Sequence, residues 1–238
     1  NSRYRQRMLL FEIGRVYLPQ PGEELPLEQP HLAMALTGTV PLASWHQTRD
    51  LPRLGFTHLK GVLETLAQRL HVPSITVTPG SHPSLHPTKT ATLRLAGEAL
   101  GIIGELHPQV RERFELSDQP LALLELRLDL LLAQRQPRYY QPIARFPAVL
   151  EDMTLVVDEE VPAQVVQDTI GVAGGNLLRQ VELFDLYQGN PIPGGKKSLS
   201  YALTFQAEDR SLTEDEVRTI YQRIQQHAAA ELGAQPRQ

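Results

Sequence analysis

The sequence predicts an α+β chain in two parts: a mainly antiparallel β half, then a smaller unit in which strands and helices alternate. Three observations carry this. Before Ala133, short apolar runs with strand-like alternation outnumber the segments that repeat every three to four residues as a helix does. Residues 133–142, AQRQPRYYQP, are polar, basic and twice broken by proline, so the domains are expected at 1–136 and 137–238. Beyond that stretch the pattern runs strand, helix, strand, strand, helix, strand.

Composition narrows the class. At 238 residues, with 41% apolar and 21% charged side chains, the chain has globular proportions and enough length for a sizeable core. The absence of cysteine removes disulfides, thiolate metal sites and thiol nucleophiles. No apolar run approaches the roughly 20 residues of a membrane helix, and NSRYRQRMLLFEIG has no signal-peptide layout, so a soluble, cytoplasmic protein without membrane contact is expected. Through Arg138 there are 15 Lys and Arg against 13 Asp and Glu; from Tyr139 onward there are 8 against 14. An acidic second half speaks against DNA binding or bulk attraction to nucleic acid, which depends on cations releasing counterions from phosphates. Any RNA contact there must be local and specific.

In chain order, MLLFEIGRVYL at residues 8–18 reads as a buried strand with nothing before it to pair with, which suggests a piece of a longer polypeptide. LAMALTGTV at 32–40 reads as a second buried strand. FTHLKGVLETLAQRL at 56–70 places Leu59, Val62, Leu63, Leu66, Ala67 and Leu70 on one face of a helix. Val72–Val77 reads as a short strand, and ATLRLAGEALGIIGELHP as two strands about a turn at Gly97 and Glu98. Residues 109–116 suit a short helix, and LALLELRLDLLL at 121–132 opens as a strand and can finish helical.

In the second half, AVLEDMTLVV at 148–157 predicts a strand, and DEEVP leads into a helix reaching about Val172 and stopped by Gly171, Gly174 and Gly175. Residues 177–187 and 198–206 form a long hairpin. Thr213 and Glu216 form a capping box for a helix to about His227, and a strand near Ala229–Ala234 completes the order. This is the ferredoxin-like βαββαβ arrangement, four antiparallel strands with two helices on one face.

Catalytic and metal motifs are weak. Serines and histidines are plentiful, but no Gly-x-Ser-x-Gly elbow occurs. His82 and His86 are four apart in HPSLHP, where the prolines forbid the helix that would put both rings on one face. Gly194, Gly195 and Lys196 end like a phosphate loop, yet Asn190 stands where its first glycine would be and a strand follows. Glu151 and Asp152 read as strand-edge charges. No catalytic or metal-binding residue is expected.

The hairpin FDLYQGNPIPGGKKSLSYALTFQ at 184–206 is the richest segment. Around its reversal stand Asp185, Tyr187, Lys196, Lys197 and Ser198. In one reading the prolines and glycines only shape a turn and the lysines are solvated edge charges. In the other, the aromatic stacks a base, the polar groups read its edge and the cations meet phosphates. Residue types alone leave both open.

Several motifs together resemble one family. RFPAVLEDMTLVVDEEVPAQVV at 145–166, LFDLYQGNPIPGGKKSLSYALTFQ at 183–206 and RSLTEDEV at 210–217 resemble the anticodon-binding end of bacterial phenylalanyl-tRNA synthetase β subunits. MLLFEIGRVY, FTHLKGVLETL, LHPTKTATL and IGELHPQV resemble the same subunits in the first half. The resemblance implies a partial class II synthetase-like antiparallel core followed by the ferredoxin-fold anticodon module. It further implies a partner α subunit in an α2β2 assembly, with ATP and magnesium handled by α and no cofactor here. Residues 121–132 resemble the third class II motif but have none of its glycines, so the core is expected to pack against α without catalysing. The family pattern F-D-x-Y followed by K-S assigns Asp185, Tyr187, Lys197 and Ser198 to the anticodon of the phenylalanine tRNA. Arg145, Lys196 and Arg210 are phosphate candidates by charge alone. A rival expectation is an assembly module with negligible RNA affinity of its own. A small-molecule-sensing module is a third class, without a motif behind it.

Overall fold

The computed structural model describes residues 7–40, 52–140 and 143–237. They divide into two compact units, Asn1–Tyr139 and Tyr140–Gln238.

In the first unit, strands β1 (Met8–Leu18) and β2 (Leu27–Thr37) pair antiparallel in unbroken register from Met8↔Thr37 to Leu18↔Leu27. With β3 (Thr76–Pro79), β4 (Leu85–Leu95), β5 (Glu98–Leu106) and β6 (Leu121–Arg127), they make a six-stranded sheet in the order β1-β2-β6-β5-β4-β3. Helix α1 (Phe56–Leu70) has the predicted limits and buries Leu59, Leu63 and Ala67. Its Leu59 and Leu63 share a core with Leu93, Leu95, Leu100, Ile103, Leu124 and Leu126. The short helix α2 (Pro108–Arg113) starts on a proline, with the His107 ring accepting from the Gln109 amide. Strand β6 passes directly into helix α3 (Leu128–Ala133), the mixed reading expected for that leucine run.

The burial of β1 and several boundaries differ from expectation, for local reasons. Strand β1 is a sheet edge rather than a buried strand: Phe11 is 73% and Ile13 58% exposed. Strand β2 starts at Leu27 and runs through Pro30, which sequence alone reads as loop. Pro30 is tolerated because pairing with β6 begins only at His31, leaving no ladder partner on that side. Val72 belongs to the α1 terminus, where His71 adopts a left-handed conformation (φ 55°) and the Val72 amide donates to the Ala67 carbonyl, a Schellman-type end. The β4–β5 turn is Ala96–Gly97, both at positive φ, one residue earlier than predicted, because Glu98 already pairs with Leu95.

The second unit contains β7 (Val149–Asp158), α4 (Ala163–Gly174), a 3-10 turn at Gly175–Leu177, β8 (Leu178–Tyr187), β9 (Lys196–Phe205), α5 (Glu214–Leu232) and β10 (Gln235–Pro236). The strand order is β10-β7-β9-β8 with every neighbouring pair antiparallel, the ferredoxin-like topology. Alternation along β7 and β9 sends Met153, Leu155, Val157, Leu199, Tyr201, Leu203 and Phe205 inward against Val166, Ile170, Val217, Ile220, Ile224 and Ala228 of the helices. Tyr201 is wholly buried. Its hydroxyl donates to the Ala163 carbonyl at 3.0 Å, and burial pushes its pKa far up.

Helix α4 runs through Gly171 and ends where Gly175 turns to φ 65°. Arg223 of α5 donates to the freed carbonyls of Ala173 (2.7 Å) and Gly174 (3.1 Å), tying the two helices at that end. Helix α5 continues five residues past His227, since alanine-rich AAAEL favours helix over the predicted strand, and Gly233 (φ 61°) stops it. The last strand is therefore only Gln235–Pro236.

The capping box at the start of α5 is formed. Glu216 accepts from the Thr213 amide at 2.9 Å and from Arg210, while the Thr213 hydroxyl accepts from the Glu216 amide. Accepting the Thr213 amide, with Arg210 beside it, lowers the Glu216 pKa from 4.5 to about 2. A carboxylate with a depressed folded-state pKa stabilises above its unfolded value, and that contribution disappears as pH falls from 4.5 toward 2. Glu216→Gln is expected to remove this part of the acid dependence. Urea midpoints between pH 5 and 2 in both proteins test it, and parallel curves would refute the assignment.

Candidate nucleic-acid interface

Both helices of the second unit cover one face of its sheet, so the other face displays alternate residues of each strand. On β7 and β9 these are Thr154, Val156, Ser198 and Ser200, offset by one from the buried set. Strand β8 reaches this arrangement through a β-bulge. Leu183 pairs with Tyr201 and Asp185 with Ser200, leaving Phe184 as the extra residue. Leu183 therefore packs on the core, while Asp185 and Tyr187, two and four residues later, lie on the helix-free face.

Two cross-strand rows result. One is Thr154, Ser200, Asp185; the other is Val156, Ser198, Tyr187. The hydroxyls of Thr154 and Ser200 are 2.9 Å apart. Asp185 is exposed, and its carboxylate makes no ion pair among the described residues. The Tyr187 hydroxyl donates to the Asn190 carbonyl at 2.6 Å, fixing the ring against the hairpin loop. Ser198 is 2% exposed, and its hydroxyl has no hydrogen-bond partner among the described residues.

Asp185, Tyr187 and Ser198 thus come together, whereas of the cations expected beside them only Lys196 shares their face, and it is held by Asp158. Lys197 pairs with Val157, on the helix side of the sheet, and its ammonium donates to the Glu159 carbonyl at 2.7 Å. Lys196 is bound to Asp158 at 2.8 Å. Arg210 makes two bonds to Glu216, which raise its pKa further. Arg145 is exposed but precedes Val149, at the end of β7 roughly 24 Å from Val156 at strand spacing.

A further cation, Arg237, reaches the site without any local sequence signal for it. Its guanidinium carbon lies 5.6 Å from the Tyr187 ring centroid, a cation–π contact, while its amide donates to the Thr154 carbonyl at 3.1 Å. The available signal was topological: in a βαββαβ sheet the last strand lies beside the first, so residues just after it border the same face.

Elsewhere, a cavity of about 600 Å³ in the first unit is lined by Arg53, Phe56, His58, Lys89 and Glu105 among others. Glu105 there accepts from the Phe56 amide at 3.2 Å and from Lys89 at 2.7 Å, so its carboxylate is satisfied internally. Among the described residues, no group of three His, Asp or Glu side chains is placed to hold a metal ion, and no helix is long and apolar enough to cross a membrane.

Comparison with known proteins first gives the class of the second unit: residues 144–237 match the ferredoxin-fold anticodon binding domain. Residues 1–128 match the phenylalanyl tRNA synthetase beta chain CLM domain. The chain belongs to the phenylalanyl-tRNA synthetase β-chain family. It is 40% identical over 237 residues to the phenylalanine–tRNA ligase β subunit of Symbiobacterium thermophilum, a match covering 99% of this chain and 26% of the relative. With the Moorella thermoacetica β subunit it shares 41% over 231 residues, covering 96% of this chain and 28% of the relative. The chain therefore spans about a quarter of the length of these curated relatives. A solved pyrrolysyl-tRNA synthetase from Desulfitobacterium hafniense overlaps 54% of this chain and 42% of its own at 19% identity and TM-score 0.38, too slight a likeness to argue from.

Proposed function

We propose that this chain is a non-catalytic portion of a phenylalanine–tRNA ligase β subunit, whose second unit reads the anticodon of the phenylalanine tRNA and whose first unit serves assembly with an α subunit. The observation that carries this is the meeting of Asp185, Tyr187 and Ser198 on the helix-free face of a ferredoxin-like sheet.

The chemistry suits one guanine. An ionised carboxylate only accepts hydrogen bonds, and guanine offers two adjacent donors, N1–H and N2–H, that adenine and the pyrimidines lack in that arrangement. Tyr187 supplies a ring for stacking, and the Ser198 hydroxyl a further donor or acceptor. Arg237 takes the cationic role first assigned to Lys197. The surrounding acidic balance leaves selectivity to these few contacts rather than to bulk charge.

The leucine run at 121–132 supports the absence of catalysis in the first unit. Leu124, Leu126, Leu130 and Leu131 are buried core residues where a nucleotide-binding motif would need glycine and a free cation. ATP and magnesium belong with α in this reading, and the exposed apolar strand β1 favours an assembly surface. The setting is the cytoplasm, without DNA or membrane partners.

Asp185→Ala tests the reading. At fixed salt it is expected to weaken an anticodon stem-loop of the phenylalanine tRNA by about 1–3 kcal/mol and to erase preference for guanine over adenine at the read position. Unchanged affinity and preference in a fluorescence-anisotropy titration would overturn it.

A further inference from the structure

Ser198 is out of keeping with its surroundings. It stands on the face that no helix covers, yet it is 2% exposed and its neighbour across the ladder, Val156, is 8% exposed. Its hydroxyl has no hydrogen-bond partner among the described residues, an unfavourable state for a buried polar group. Something shields this row, and the cross-strand pairing indicates what. Tyr187 flanks Ser198 on β8; on the other side Val156 pairs with Gln235 of β10, two residues before Arg237. Strands lie about 4.8 Å apart, so β10 and β8 are separated by roughly 14 Å. With the Arg237 backbone bonded to Thr154 and its guanidinium 5.6 Å from the Tyr187 ring centroid, the contact between the two side chains spans β7 and β9 and passes over the Ser198 end of that face.

We propose that Arg237 and Tyr187 form a latch over Ser198. Closed in the RNA-free chain, the cation–π contact occupies the ring face on which a base would stack and hides the hydroxyl that would read it. An incoming purine exchanges one contact for another: its ring replaces the guanidinium on Tyr187, Ser198 gains a partner, and the released Arg237 is free to meet the nucleotide's phosphate. Arg237 thereby acts as a positioning residue that reserves the site for ligands able to offer both a flat ring and an edge that satisfies Ser198. This rests on the base-reading role proposed above.

The chain contains no cysteine, so Ser198→Cys introduces a single thiol at the guarded position. Its alkylation by iodoacetamide, an uncharged reagent, is expected to be at least about 10-fold faster when Arg237→Ala or Tyr187→Ala is added, because local opening gates access. Losing a nearby cation would by itself slow the reaction by raising the thiol pKa, so acceleration reports opening. An equal or slower rate overturns the latch. Should Ser198→Cys fail to fold, hydroxyl-radical modification of Tyr187, read by mass spectrometry, replaces it; several-fold faster modification in Arg237→Ala is expected, and no change overturns the proposal. Neither assay contains RNA. Labelling as expected in the Ser198→Cys series, together with a wild-type chain that does not bind the stem-loop, would overturn the base-reading role and leave the latch standing. Binding that depends on Asp185, together with labelling indifferent to Arg237, would do the reverse.

Discussion

Gly101→Ala is expected to destabilise the first unit by about 3 kcal/mol or more, the largest effect of any single methyl group in that sheet. Gly101 pairs with Leu93 on one side and Leu126 on the other, at the centre of the sheet and next to the irregularity that accommodates Leu100. A Cβ there would fall on the Glu125 carbonyl oxygen and within 2.7 Å of the Leu126 Cα, both backbone atoms that no side-chain rotation can move. Relief requires prising β5 from β6, the strands that carry Ile103, Leu124 and Leu126 into the core. Hydrogen exchange read by mass spectrometry should show protection lost across 98–106 and 121–127, while the second unit, which has its own core, keeps its protection. Wild-type protection in β5 and β6 would mean that the sheet yields more easily than this geometry allows.

The second large effect is expected at Gly174, the last residue of α4, where alanine should cost about 3 kcal/mol. Its backbone is ordinary helix, so conformational freedom is not the reason for glycine. Space is: a Cβ would sit 2.6 Å from the Leu178 Cβ, an atom fixed by the start of β8 whatever rotamer the leucine adopts. Moving Leu178 pulls on the β8 register that delivers Asp185 and Tyr187, and it disturbs the carbonyls that Arg223 holds. Gly174→Ala should therefore lower the urea midpoint of the second unit and weaken stem-loop binding together. Loss of binding with an unchanged midpoint would separate the two and contradict this coupling.

Much of the fold was legible because period and punctuation agreed. The 56–70 helix and the Thr213–Glu216 cap are local patterns, and they appear as the residues dictate. The misreadings were of what local pattern omits. Apolar alternation in β1 says strand but not whether a further strand covers it. Pro30 speaks against a strand unless the pairing of β2 with β6 stops at His31, as it does. The final strand lies later than the order of elements suggests, because alanine's preference for helix carries α5 to Leu232.

The site divides the same way. Residue type and family pattern single out Asp185, Tyr187 and Ser198, and period two plus one bulge places them on a common face. The same family pattern includes Lys197, although period two sends it to the opposite side. Arg237 is about fifty residues from Tyr187 along the chain and meets it only through the sheet order, which no local window contains.

The bulge at Phe184 bears on how this strand can change through evolution. Deleting one residue from a β-strand ordinarily turns every later side chain over, exchanging core for surface. In β8, removing Phe184 would leave Leu183 opposite Tyr201 and Asp185 opposite Ser200, their present partners. That position is thus one where a lineage could drop or regain a codon without scrambling either the core or the helix-free face, whereas a deletion between Asp185 and Tyr187 would part the carboxylate from the ring.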